Sequence, residues 1–134
     1  MLTKQTVIPQ LRITQAQKTL PFYVDLLGFV MDWKHQFEPG FPLFVQLSRG
    51  EQTIFLTEHT GDCQPGGAVY FCVPDAVKLY AEMVNRGVVA EKPVERTPWG
   101  TLEFSVLDPD GNRLRFASDI KRELDSSLAL DVQE

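Results

Sequence analysis

Hydrophobic and polar positions alternate over residues 7–14, where Leu11 and Ile13 stand among Gln10, Arg12 and Thr14, and this period of two predicts a strand. Thr14 and Gln17 have the spacing of a capping box, predicting a helix that reaches Leu27 with Gly28 as its stop. Pro21 conflicts with that helix, because a proline removes one backbone donor and crowds the preceding turn. The helix either starts later, capped by Thr19, or kinks at the proline. Strands are predicted over 29–35, 43–48 and 52–57, with a loop over 36–42 and a hairpin turn at Arg49-Gly50-Glu51. Residues 58–67 are polar and glycine-rich and read as a linker. The order then repeats. A strand over 68–73 leads to a helix capped by Asp75, with Val77, Tyr80, Ala81 and Val84 at helical spacing and Gly87 at its end. Strands follow over 88–94, 101–107 and 113–117, the last two joined by the turn Asp108-Pro109-Asp110-Gly111. The tail, 118–134, is polar with scattered leucines, either a short helix or disordered.

Alternation sorts the strand residues into two faces. Leu11, Ile13, Leu43, Val45, Leu47, Ile54, Leu56, Val69, Phe71, Val73, Phe104, Val106, Leu114 and Phe116 form an apolar face that must pack against the two helices. The opposite face mixes aromatics, amides, hydroxyls and charges: Phe44, Gln46, Thr53, Phe55, Tyr70, Cys72, Glu103, Ser105, Arg113 and Arg115, with Ile8, Gln10, Arg12, Thr57 and Ala68. Such a face suits the wall of a ligand cavity, and equally a solvated or dimer-buried sheet.

The 134 residues are 43% hydrophobic and 23% charged, the balance of an ordinary globular domain and not of a disordered chain. Eighteen acidic against 13 basic residues give a net charge of −5, with no basic cluster, which argues against nucleic acid as a partner. The N-terminus lacks the apolar core of a signal peptide and no apolar run approaches a membrane span, so a cytoplasmic protein with no membrane partner is expected. Cys63 and Cys72 have no metal-site spacing.

Phe22-Tyr23-Val24-Asp25-Leu26-Leu27-Gly28-Phe29, then Pro98-Trp99-Gly100, Glu103-Phe104 and Asp108-Pro109-Asp110-Gly111-Asn112, resemble the signatures of the vicinal-oxygen-chelate superfamily. That superfamily groups glyoxalase I, extradiol dioxygenases, fosfomycin-resistance enzymes and bleomycin-resistance proteins, and the closing segment resembles the bleomycin-resistance branch. The resemblance spans about residues 6–117. It implies an α+β fold, one domain over 1–134 made of two paired βαβββ modules, about 5–57 and 67–117, forming a concave cleft with helices on the outer face. It also implies a homodimer, and Pro9 suits a first strand swapped between chains. Metal-using members carry four ligands at positions that here are Ile8, Phe55, Ala68 and Arg115, none of which offers a donor, so no metal and no cofactor are expected.

The resulting expectation is a metal-independent protein that binds an aromatic or amphipathic small molecule, as drug-sequestering relatives do. Arg12, Trp33, Phe44, Phe55, Tyr70, Trp99, Glu103 and Arg115 are the candidate binding residues, with Trp33 at the rim and Phe37 and Phe41 available for stacking from the 36–42 loop. The alternative is a glyoxalase-like lyase drawing its acid–base groups from Glu103, Glu58 or His59, while His35 is expected to face solvent and Cys72 to be a small buried hydrophobe. No phosphate-binding glycine loop, nucleophile elbow or zinc-protease motif occurs.

Overall fold

In the computed structural model, residues 5–120 are described. The predicted tail is therefore seen only to Ile120, and the expectation for residues 121–134 lies outside the described residues. The elements run β1 (Gln10–Arg12), α1 (Ala16–Pro21), a π-helical turn (Phe22–Leu26), β2 (Val30–His35), β3 (Phe44–Arg49) and β4 (Gln52–Thr57). The series then repeats as β5 (Ala68–Cys72), α2 (Ala76–Asn85), β6 (Lys92–Arg96), β7 (Thr101–Leu107) and β8 (Arg113–Asp119). Two four-stranded sheets result, ordered β1-β4-β3-β2 and β5-β8-β7-β6. This is the α+β pattern of paired βαβββ modules. Among the described residues no helix is long and apolar enough to cross a membrane.

The chain divides into two compact units. One holds the chain up to Val69 together with Leu107–Arg113, and the other holds Tyr70–Val106 and the chain from Leu114. The first buries Leu11, Ile13, Val45, Leu47, Ile54 and Leu56 along with Tyr23, Leu27 and Phe29. The second is built on rings: Phe71 stacks on Phe116 at 4.9 Å, Phe104 on Phe116 at 5.2 Å, and Tyr80 of α2 meets Phe104 edge-on at 5.3 Å.

Several local expectations change. α1 begins at Ala16, and no capping box forms: the Thr14 hydroxyl donates to Asp110, and the Ala16 amide is taken by Glu58 Oε2 at 3.0 Å. Pro21 closes the regular turn, and the Leu27 amide then reaches back five residues to the Phe22 carbonyl at 3.1 Å. The wider turn follows from the donor that proline lacks. Cys72 is exposed, not buried. α2 is capped by Asp75, which accepts from the Lys78 amide at 3.0 Å, but of the predicted stripe only Tyr80 reaches the core. Val77 and Val84 are 49% and 43% exposed, while Ala76, Leu79 and Met83 are buried. β6 starts at Lys92 and not at Val88, because Gly87, at φ +103°, folds the chain back so that the amides of Gly87 and Val88 bond Val84 and Met83, each at 3.0 Å. That paired closure is the Schellman motif, and it spends the residues expected in the strand. β1 shrinks to three residues, and it pairs in parallel with β4.

The turn after β7 belongs to the first unit and ties it together. Asp108 is buried and accepts four bonds: from the Asp110 and Asn112 amides at 2.8 and 2.9 Å, from Asn112 Nδ2 at 2.9 Å, and from the Tyr23 hydroxyl at 2.8 Å. Fully buried Asn112 also donates to the Arg12 carbonyl at 2.9 Å and accepts from the amides of Gly66 and Gly67 at 3.1 and 2.9 Å. A side chain at Gly67 would bring its Cβ within 3.1 Å of Leu11, so the close approach requires glycine. Burial first, and then the Asp108 charge and hydrogen bond, push the Tyr23 hydroxyl well above its ordinary pKa. Tyr23→Phe is expected to lower stability by about 1–3 kcal/mol, the cost of leaving a buried acceptor short of one donor. Urea unfolding checks this through a lower midpoint at unchanged slope, and an unmoved midpoint contradicts it.

Candidate functional site

One irregularity in β2 builds the first cluster. Met31 stands opposite Leu47, but Trp33 stands opposite Gln46, so Asp32 is an extra residue in the strand. Without this bulge, Trp33 would oppose Val45 and point to the apolar core. With it, Trp33 and His35 join Phe44, Gln46 and Phe55 on the mixed face. Asp32 braces the bulge, accepting from Gln46 Nε2 at 3.0 Å and from the Ser48 hydroxyl in a short contact.

Three rings then form a wall. Trp33 stacks on Phe44 at 5.9 Å, Trp33 meets Phe55 at 5.8 Å, and Phe44 meets Phe55 at 4.9 Å. Trp33 is thus part of the wall and not of the rim. A cleft of about 830 Å³ opens here, lined by Trp33, Phe44, Phe37, His35 and His59 with Asp32, Lys34 and Asp62. Phe37 lies edge-on to His35 at 4.7 Å and to His59 at 6.5 Å, and is 69% exposed. Thr57 positions the His59 loop, accepting from the His59 amide at 3.1 Å and donating to Asp62 at 2.7 Å. The indole N–H of Trp33 is buried and has no partner among the described residues. Arg12 is not among the lining residues, and its Nε donates to the Ile13 carbonyl at 3.2 Å. Phe41 lines a different, smaller groove of about 470 Å³ with Leu20, Pro21 and Leu43.

Glu58 does not pair with His59 as a catalytic couple. Its two oxygens accept the amides of Ala16 and Leu43, each at 3.0 Å, and so tie α1 to the entry of β3.

In the second unit the other candidates gather around Glu103. Its Oε2 accepts from the Tyr70 hydroxyl in a short contact, from Thr101 at 2.8 Å and from Trp99 Nε1 at 3.1 Å, while Arg115 Nε faces Oε1 at 3.8 Å. The Arg115 guanidinium lies over the Tyr70 ring, 5.9 Å from its centroid. Burial would raise the Glu103 pKa, but the bonds from Tyr70, Thr101 and Trp99, with the Arg115 charge, bring it below the ordinary glutamate value. The bond to Glu103 raises that of Tyr70. With Oε2 taken by three donors and its pKa held below the ordinary glutamate value, Glu103 is a weak general base.

The donor set does not fit a metal. Ile8, Phe55 and Ala68 carry no donor atom, Phe55 is part of the ring wall, and Arg115 is a cation beside Glu103. Among the described residues no group of three or more His, Cys, Asp and Glu is placed to hold one. Asp32, Lys34, Asp62 and Thr101 were not among the sequence candidates. Nothing in the sequence marks the bulge that brings Asp32 to the cleft.

The sequence matches the family model described as glyoxalase superfamily protein over residues 1–123. Among solved structures it is similar to a member of the glyoxalase/bleomycin resistance protein/dioxygenase superfamily from Sphaerobacter thermophilus, 26% identical with a TM-score of 0.67, covering 86% of this chain and 98% of that one. TioX from Micromonospora shares 19% identity at a TM-score of 0.71, covering 87% and 99% of the two chains. TnmS3, an antibiotic binding protein from Streptomyces, shares 19% at 0.69, covering 89% and 100%. No curated protein matches the sequence.

The depressed Glu103 pKa sets a pH dependence. A folded-state value below the unfolded one stabilises the fold above the ordinary glutamate range, and the contribution is lost as the pH falls through the folded value. Glu103→Gln should therefore be less stable than the parent at pH 7, with the gap narrowing as the pH drops below about 4. Urea midpoints at pH 7, 5 and 3 measure it, and a gap of constant size across that range refutes it.

Proposed function

Because the chain belongs to the glyoxalase superfamily, we propose that it is a small-molecule-binding member that works without a metal, taking an aromatic or amphipathic ligand into the cleft beside Trp33 and Phe44. The ring wall carries this reading. Trp33 and Phe44, with Phe55 packed against both rings, offer flat apolar surface to a cleft whose volume of about 830 Å³ suits a drug-sized molecule. Exposed Phe37 supplies a further ring from the β2–β3 loop. The similarity to an antibiotic binding protein supports a sequestering role for this chain too. The lyase alternative is weakened by the two occupied oxygens of Glu58 and by the occupied Oε2 and lowered pKa of Glu103.

The test is a screen of planar polycyclic compounds by quenching of tryptophan fluorescence, followed by calorimetric titration of a hit. Trp33→Ala and Phe44→Ala, each shown to be folded, should weaken binding by about 1–3 kcal/mol, the value of a buried ring, and EDTA should change nothing. Unchanged affinity in both variants places the ligand elsewhere, and loss of binding in EDTA overturns metal independence.

We also propose a homodimer in a cytoplasmic setting. β2 is the outer strand of its sheet and leaves Val30 and Met31 exposed, an edge that proteins normally cover. Sedimentation at micromolar concentration should give the mass of two chains, and the mass of one chain contradicts the proposal.

A further inference from the structure

The hydrogen-bond inventory around Glu103 leaves one group unspent. Tyr70, Trp99 and Thr101 each commit a donor to the carboxylate, and Thr101 also meets the Thr97 hydroxyl at 2.7 Å. Glu103 itself is turned inward, with its side chain 8% exposed against 44% for Arg115. Of the five N–H groups of Arg115, the one on Nε faces Glu103; the terminal four have no partner among the described residues. The outward chemistry of the cluster is therefore a fork of donors.

That fork is already oriented. The contact with Glu103 and the placement over the Tyr70 ring both restrict the guanidinium, so a ligand need not order it. Beside it stand two partly exposed flat side chains, Tyr70 at 45% and Trp99 at 65%. A planar fork of N–H donors matches a carboxylate in two parallel bonds, and flat side chains take a ring by stacking.

We infer that Arg115, with Tyr70 and Trp99, forms a binding site for an aromatic carboxylic acid, the guanidinium taking the carboxylate and the two rings flanking the ligand ring. This site stands on the second unit's own residues and does not depend on the cleft at Trp33.

The probes are 1-naphthoate and its neutral isostere 1-naphthamide, titrated by ligand-observed NMR against the full chain and against Arg115→Gln, Arg115→Lys and Trp33→Ala. Circular dichroism confirms that each variant is folded. Naphthoate is expected to bind the parent chain, and to bind Arg115→Gln about tenfold more weakly or worse, as fits the loss of a charge-assisted pair. Arg115→Lys should recover only part of the affinity, because an ammonium cannot form the two parallel bonds. Naphthamide should bind the parent chain no better than naphthoate binds Arg115→Gln. Weakening in Arg115→Gln carries the inference whatever Trp33→Ala does. Equal binding of acid and amide, no binding of the acid, or an unchanged Arg115→Gln overturns it. A loss confined to Trp33→Ala moves the acid to the aromatic cleft and leaves the function proposed for that cleft standing.

Discussion

A carboxylate buried in the turn after β7 is the constraint on which the first unit depends. A charge out of water is costly unless every lone pair has a donor, and Asp108 finds four of them. Its neighbour Asn112 then reaches the Arg12 carbonyl on one side and the Gly66 and Gly67 amides on the other. Asp110 takes the hydroxyls of Thr14 and Thr19. One five-residue turn thereby holds the end of β1, the start of α1, the π-helical turn through Tyr23 and the entry to β5. The motifs around Phe22-Tyr23 and Asp108-Pro109-Asp110-Gly111-Asn112 lie far apart in the chain and meet in one bond, between the Tyr23 hydroxyl and Asp108.

The cleft rests on a different device. The single extra residue in β2 reverses which way Trp33 and His35 point, and Asp32, the residue that makes the bulge, also stabilises it through Gln46 and Ser48. An edge strand tolerates such a bulge because only one neighbour must adjust. The result is a ring wall whose back, Phe55, lies on a regular central strand and whose front, Trp33, lies on an irregular one.

The elements legible in the sequence are those written in local chemistry. The hairpin at Gly50, the cap at Asp75, the stops at Gly28 and Gly87 and the apolar sheet face need only nearest neighbours and alternation. At the start of α1 the misreading has one cause: a distant partner outcompetes the local one. Thr14 has the spacing to cap α1 but bonds Asp110, and the first helical amide goes to Glu58 from beyond β4. In α2 two apolar stripes have helical spacing, one through Val77 and Val84 and one through Leu79 and Met83, and only the sheet decides which is buried. Trp33, Phe44 and Phe55 were legible as aromatics but not as a wall, because the bulge has no sequence signal. Tyr70, Trp99, Glu103 and Arg115 were legible as binding candidates in one site with Phe44 and Phe55, while the order of donors among them was not.

That order explains how a sheet face so polar in composition can serve a ligand. In the first unit Asp32 is satisfied by Gln46 and Ser48, and Asp62 accepts from Thr57. In the second, Glu103 is satisfied by Tyr70, Thr101 and Trp99. In each case neutral side-chain donors hold one oxygen of the carboxylate, Oδ2 of Asp32 and of Asp62 and Oε2 of Glu103, so that oxygen is spent on internal structure. A ligand meets aromatic surface and N–H donors, Trp33, Phe37 and Phe44 with Lys34 and the histidines in one unit and Tyr70 and Trp99 with Arg115 in the other, with Asp32 and Asp62 also lining the first unit's cleft. Open rings beside N–H donors suit molecules that bring apolar area and acceptor oxygens, and each unit offers them through its own residues.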